Sequence, residues 1–322
     1  MEILEFDQLP RAMRPQLAEM PVLDGDPPQD FAYLSTARKV VPDCSDYFAL
    51  YAVEDGQILS RVETAWPRFT TRDGTARVLA VCEVETRPTA GGRGIARRLL
   101  EELHRREAAR GKGWAFLWTR RSWGAHRLYG ALGYTDVYSP PASLKRIPRS
   151  KGLRLPRPYS WKKLSNGAVS RLEEILRVGT VGRLGFVPRA SGSLRARVRM
   201  GWRSLDNYRV LRRGAERVGY AYAGADKPES ITFSEVVVTS PDHHPAMIAA
   251  LESAAAGRWL VLETTTFVAD AEPVLEERGF VTHHTTHRTM MAKRLAGRPE
   301  GSDDVASTCR DPRFSNHRGD MF

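Results

Sequence analysis

The sequence predicts an α/β chain of two tandem copies, each with a mixed sheet. Three observations carry this. Apolar positions recur at strand spacing in some short runs and at helical spacing in others. The order strand, proline, helix, strand, helix, Gly-aromatic occurs twice, with Pro88 answering to Pro241, Trp114 to Trp259, and Gly133-Tyr134 to Gly279-Phe280. A chain of 322 residues has room for two domains of ordinary size.

The first copy reads as follows. Leu9–Met20 has a helical pattern, weakened by Pro15. Tyr47–Val53 alternates, Asp55-Gly56 marks a hairpin, and Ile58–Thr64 resumes the alternation. Arg72-Asp73-Gly74 is a second turn, and Val78–Thr86 is a strand rich in β-branched residues. Ile95–Ala109 places Ile95, Leu99 and Leu103 on one helical face. Trp114–Thr119 is a short strand, and Ala125–Leu132 a short helix closed by Gly133. The prolines of residues 138–163 exclude a continuous helix and predict a linker.

In the second copy, Leu172–Val178 is helical, and Asn207–Val210 and Val218–Tyr222 flank an Arg213-Gly214 turn. Ile231–Thr239 (strand), Pro245–Ala255 (helix), Trp259–Thr264 (strand) and Ala271–Glu277 (helix) follow. The expected boundaries are 1–148 for the first domain, 149–165 for a basic Pro-rich linker, 166–296 for the second domain, and a disordered tail over 297–322.

Composition narrows the class. Hydrophobic residues are 42% and charged residues 27%, which excludes wholesale disorder, collagen and coiled coil. No window holds the ~18 apolar residues of a membrane span, and MEILEFDQLP has no basic region followed by an apolar stretch. Cys44, Cys82 and Cys309 are too far apart for a disulfide framework or a Cys-rich zinc module, so a cytoplasmic protein is expected. The net charge is +11, nearly all from residues 151–218, where 17 Lys and Arg face 4 Asp and Glu. That block fits an anionic partner or a solvated surface. It carries no helix-turn-helix, RNP or zinc-finger signal, which argues against nucleic acid. His243-His244, His283-His284 and His287 lack metal-ligand spacing, so no metal is expected.

The chemistry concentrates in Val84–Leu100: a strand, a proline stop, a Gly-rich turn and a helix start. Unpaired N–H groups at a helix N-terminus and the helix dipole together suit a phosphate. Gly92 and Gly94 let a pyrophosphate approach the backbone. Arg93, Arg97 and Arg98 add positive charge. Neither the dinucleotide GxGxxG nor a Walker Gly-Lys-Ser/Thr is present.

Pro88, Gly92, Gly94 and Ala96 match, in register, the Pro-x-x-Arg/Gln-Gly-x-Gly-x-Gly/Ala pattern of the GNAT superfamily of acyl-CoA-dependent N-acyltransferases. Gly91 stands where that family usually has Arg or Gln. Ala125-His-Arg-Leu128-Tyr129-Gly-Ala-Leu132-Gly133-Tyr134 matches its second signature throughout, with Ser122 where Asn is common. The chain therefore resembles tandem GNAT-like acyltransferase domains, with the motifs confined to roughly residues 1–150.

The resemblance implies roles. Val84, Glu85 and Thr86 would offer backbone groups to the pantetheine arm of acetyl-CoA. Gly91, Gly92, Arg93, Gly94, Ile95, Ala96 and Arg97 would hold its pyrophosphate, and Ser122 stands where the family's Asn makes a CoA contact. Tyr129 would protonate the leaving thiolate; the alternative is a packing aromatic. For the base, Glu83 and Glu85 lie two apart on a strand, hence on one side, and Glu83 is the choice; an exposed strand face is the alternative. His126 reads as a surface residue. The second copy has Pro245 where the key glycine would be and Leu275 where Tyr129 stands, so it resembles a degenerate copy.

The expected activity is transfer of acetyl to a primary amine of a small molecule by direct attack in a ternary complex. A non-catalytic acyl-CoA binder, or transfer to a protein or peptide amine, are the alternatives. A monomer or a homodimer fits the tandem arrangement.

Overall fold

The computed structural model describes residues 1–20, 29–111, 113–149, 154–164, 169–185, 187–263, 265–284, 287–295, 305, 307–311, 313 and 314. It divides into two units. The first is Met1–Tyr138 with His287–Asp311 and Arg318–Phe322; the second is Ser139–Thr286 with Pro312–His317.

The first unit opens with β1 (Glu2–Glu5), two 3-10 segments and helix α1 (Phe31–Val40). Strands β2 (Phe48–Glu54), β3 (Gln57–Ala65), β4 (Arg68–Thr71), β5 (Gly74–Arg77) and β6 (Leu79–Thr86) follow. Then come α2 (Ile95–Ala109), β7 (Trp114–Arg120), α3 (Gly124–Ala131) and β8 (Thr135–Tyr138). The second unit holds β9 (Pro141–Arg146), β10 (Tyr159–Lys163), α4 (Val169–Gly179), α5 (Ser193–Arg199), β11 (Tyr208–Arg213), β12 (Glu216–Asp226) and β13 (Ser230–Val238). It ends with α6 (His244–Ala254), β14 (Trp259–Leu262), α7 (Thr265–Glu277) and β15 (Val281–His284). Strand β16 (Arg288–Arg294) returns to the first unit.

The sheets are built alike. The first runs β1-β2-β3-β6-β7-β16-β8 and the second β10-β11-β12-β13-β14-β9-β15. Each is antiparallel except for one parallel pair, β6 with β7 and β13 with β14. The expected boundaries at 148 and 296 leave β9 with the first copy and β16 with the second. The pairing crosses them: β9 lies between β14 and β15, and β16 between β7 and β8. Each copy thus passes its last strand to the other unit's sheet.

Three local expectations are corrected. Arg11–Glu19 is a 3-10 helix, not an α-helix, with Pro15 inside it, where the ring leaves one helix bond unmade. The Pro-rich stretch 138–163 contains β9 and β10. Pro141 is tolerated as the first residue of a strand, and Tyr159–Lys163, expected in the linker, pairs with β11. Within the expected disordered tail, Val305 and Phe314 are buried, and Asp311 accepts two bonds from Arg72 at 3.0 and 2.8 Å; much of 297–322 lies outside the described residues. Helix α1, capped by Asp30 accepting from the Tyr33 N–H at 2.7 Å, is an addition.

Packing positions the site. One face of the first sheet buries Leu50, Val62, Leu79 and Val81 under Leu99, Leu100 and Leu103 of α2. The other covers Ala49, Tyr51 and Ile58 with Phe6, Met13, Leu17 and Leu34. In the second unit α6 and α7 cover one face and α4 the other. Among the described residues, no helix is long and apolar enough to cross a membrane.

Candidate active site

Strands β6 and β7 pair only at Leu79–Ala115 and Ala80–Phe116 and then part, among the described residues. Beyond that point one edge of β6 keeps its β3 partners, Ser60 with Thr86 and Arg61 with Glu85, while the other faces the opening. The register slips between them. Arg61 opposes Glu85 but Glu63 opposes Cys82, so β6 carries one extra residue. Glu83, at φ 39°, lies in this bulge, in a left-handed conformation a non-glycine residue adopts at a cost.

The Gly-rich turn follows. Pro88–Ala90 is a 3-10 turn, and Gly94, at φ 72°, is the N-cap of α2 with no side-chain cap. Gly92 has φ 75°. A Cβ at either would meet nothing within 4 Å, so open space lies beside the turn, and the first N–H groups of a helix have no intrahelical partner to compete with an anion. Ile95 is buried and anchors the first turn. Arg93 pairs with Glu54 at 2.5 Å and Arg97 with Glu101 at 2.9 Å. Both arginines are half exposed at the turn, already engaged with carboxylates. Arg87 Nε donates to the Ile58 carbonyl at 2.8 Å, and Ser60 Oγ donates to the Glu85 carbonyl at 2.8 Å, so the end of β6 is held from its β3 side.

Tyr129 lies on α3, 6% exposed, with its ring edge-on to Tyr134 at 5.9 Å. Burial, then the electrostatic effect of Glu85, Cys82 and Glu83, holds its hydroxyl well above the ordinary phenol value. It keeps its proton at neutral pH. Ser122 is exposed in the turn between β7 and α3. His126 Nε2 contacts Asp136 at 3.0 Å, beside Arg121 on the same carboxylate.

The sequence pattern missed a buried ionic cluster beside the bulge. Arg61 is fully buried and Glu63 is 3% exposed. Arg61 Nη1 lies 3.0 Å from Glu63 Oε1, and Nη2 lies 3.6 Å from Glu83 Oε2. Burial, opposed by Arg61 and reinforced by Glu83, pushes the Glu63 carboxyl up to about 7. Glu85 is also raised, by burial and then by Glu83. Charges two apart in a β-strand were the available signal, and they read as a solvent-facing edge until the strand proves central in its sheet.

Three of the paired histidines have other partners. His243 Nδ1 meets the Tyr159 hydroxyl at 2.9 Å, His284 Nδ1 meets the Ser139 carbonyl at 3.1 Å, and His244 packs edge-on to Phe267. Among the described residues no group of three or more His, Cys, Asp or Glu is placed to hold a metal.

Residues 26–137 match the family model described as "Acetyltransferase (GNAT) domain". Among curated proteins no match to the chain is found. The fold is similar to a probable N-acyltransferase from Enterococcus faecalis V583 (TM-score 0.65, 13% identity, 91% of this chain and 72% of that one). It is similar to Eis1 from Mycobacterium abscessus (0.59, 15%, 92% and 74%) and to a tandem GNAT protein from the clavulanic acid biosynthesis pathway (0.53, 13%, 92% and 100%). Residues 26–137 therefore match a GNAT acetyltransferase domain, and the chain as a whole has the fold of tandem GNAT proteins.

Proposed function

We propose that the first unit transfers acetyl from acetyl-CoA to the primary amine of a small molecule, by direct attack in a ternary complex. The observation that carries this is the parting of β6 and β7, with the open Gly92–Gly94 turn on one side and the protonated, buried Tyr129 on the other. The residues present fit the co-substrate. Val84, Glu85 and Thr86 offer an open strand edge to the pantetheine amides. Gly92, Gly94, Ile95 and Ala96 offer N–H groups to the pyrophosphate, with Arg93 and Arg97 beside it, whereas the Gly91 N–H is given to the Pro88 carbonyl at 3.2 Å and shapes the turn. Ser122 lies at the turn before α3. Tyr129 holds the proton that a leaving thiolate needs, and Glu83 stands in the bulge as base.

The second unit we read as non-catalytic. Pro245 occupies the first turn of α6, removing an N–H there. A Cβ on Gly179 would come within 2.3 Å of the Val238 carbonyl, so the end of α4 already covers the end of β13. A cavity of about 450 Å³ remains there, lined by Gly179, Val238, Ser240, His244 and Phe267. Glu235 is clamped by Arg189 at 2.6 Å and bonded by the Tyr220 hydroxyl at 2.5 Å, and Arg189 and Arg203 outweigh burial to hold it far below the usual carboxylate range. It cannot serve as a base at neutral pH.

The test is a panel of primary amines offered with acetyl-CoA, read by release of the free CoA thiol. Turnover on at least one small amine, strongly reduced in Tyr129→Phe, supports the reading. Turnover on protein or peptide amines alone would reassign the acceptor.

A further inference from the structure

Glu63 has no part in the transfer as drawn so far, yet it is the most deeply buried carboxylate beside the bulge. Its surroundings can be enumerated. On its own strand stands Arg61. On β6 stand Cys82, Glu83 and Glu85. From the β2 side come Tyr47 and Tyr51. The Cys82 thiol donates to the Glu63 carbonyl at 3.2 Å. Burial keeps both tyrosines and Cys82 protonated, and Cys44 adds to the effect on Cys82. Arg61 is the cation acting on Tyr47, Tyr51, Glu63, Cys82 and Glu85 alike.

One guanidinium thus faces two carboxylates in a buried space, with Glu85 adding negative charge at the mouth. With both carboxylates ionised, a negative charge is left uncompensated. With both protonated, a buried arginine is unpaired. The balanced state holds one proton. Glu83, 15% exposed, reaches the opening; Glu63, 4% exposed by side chain, does not.

We propose that Glu63 and Glu83, bridged by Arg61, act as one proton-accepting pair: Glu83 takes a proton from the acceptor ammonium, and Glu63 stores it. This rests on the acetyl-transfer reading above. Glu63 is a positioning residue, acting through Glu83. The ammonium gives one proton to Glu83, and its freed lone pair forms the C–N bond to the thioester carbonyl carbon. The C–S bond breaks, its electron pair stays on sulfur, and sulfur takes the Tyr129 hydroxyl proton. The tyrosinate takes the second nitrogen proton. The stored proton returns to solvent through Glu83 once the products leave. A lone carboxylate facing a buried arginine is a poor acceptor for an ammonium proton; two carboxylates sharing one arginine take up one proton as a pair.

The test uses the full chain as wild type, Glu63→Gln and Glu83→Gln, with two readouts. Difference infrared titration of the protonated-carboxyl stretch needs no acceptor. It is expected to show a carboxyl titrating near neutral pH, absent in Glu63→Gln and moved to lower pH in Glu83→Gln. The acid limb of kcat/KM, with the best amine of the panel, is expected to fall by roughly two pH units in Glu63→Gln, with kcat down about 10–100-fold. An infrared transition unmoved by Glu83→Gln, or an acid limb unmoved by Glu63→Gln, overturns the pair. Turnover of Glu83→Gln equal to wild type removes the base reading itself, and the pair with it. Because the infrared arm runs without acceptor, failure of the pair and failure of acetyl transfer are told apart.

Discussion

Arg61 Nη1 lies 3.0 Å from Glu63 Oε1, and neither side chain reaches solvent. A buried ion pair of this kind adds little net stability, yet removing one partner leaves a charge with no compensation. Arg61→Met is therefore expected to cost about 3–5 kcal/mol in urea unfolding. The double variant Arg61→Met, Glu63→Gln should recover a large part of that loss. A double variant no more stable than the single would show that the two side chains are not energetically coupled.

Tyr129→Phe keeps the ring packing against Tyr134 and removes one hydroxyl. Acetyl transfer should fall by about 10²-fold or more in kcat, with KM for acetyl-CoA little changed. Steady-state kinetics with thiol detection checks this. A KM effect at constant kcat would place the hydroxyl in binding instead.

His104 is a pH-dependent element of stability away from the cleft. Its Nδ1 lies 3.2 Å from Lys293 Nζ, which can only donate. Nδ1 is therefore the acceptor, and Nε2 carries the proton toward the Tyr134 oxygen at 2.8 Å. Burial, then the Lys293 charge, lowers His104 to about 3. The unfolded chain takes up a proton near the ordinary histidine value and the folded chain does not. Stability from this group is thus present above about 6.5 and is lost as pH falls toward 3. His104→Gln should show a smaller drop in unfolding free energy between neutral and mildly acidic pH than wild type does, by up to about 1 kcal/mol per pH unit.

The exchange of last strands predicts how fragments behave. A chain of residues 1–148 lacks β16, so Met290, Met291 and Ala292 no longer fill the gap beside Leu117, and β8 has no partner strand. Such a fragment should aggregate or bind a hydrophobic dye, because it exposes the edge of β7. Addition of a peptide spanning residues 287–295 should reduce the dye signal. A monomeric, dye-silent fragment 1–148 would contradict the pairing.

What was legible in the sequence follows from how local each signal is. Helix α2 starts and ends where its pattern says, because a left-handed Gly94 and a buried Ile95 fix the start, and Gly111 at φ 76° follows the end. The Asp55-Gly56 hairpin and the strands over Leu79–Thr86 and Trp114–Arg120 carried similarly local signals. Helix α1 did not, since FAYLSTARKV buries only Leu34 and Ala37 and leans on Asp30 as its cap. Strands β9 and β10 were hidden by prolines that sit at or before strand starts. The strand exchange joins residues some 170 positions apart, such as Arg120 and Arg288, and no local pattern encodes that. Within the site, the Gly turn and Tyr129 lie in motifs, whereas Arg61 and Glu63 become a site only when β3 is central and β6 bulges against it.

The central claim is that the first unit binds acyl-CoA through the turn before α2. Calorimetry with acetyl-CoA on wild type and on Gly92→Asp tests it most directly. Aspartate tolerates the left-handed backbone at φ 75°, and its Cβ meets nothing within 4 Å, so the fold should persist while a carboxylate replaces open space facing the pyrophosphate. Micromolar binding to wild type, weakened at least about tenfold in Gly92→Asp, is the predicted result. No binding to wild type, or equal binding to both chains, would contradict the account.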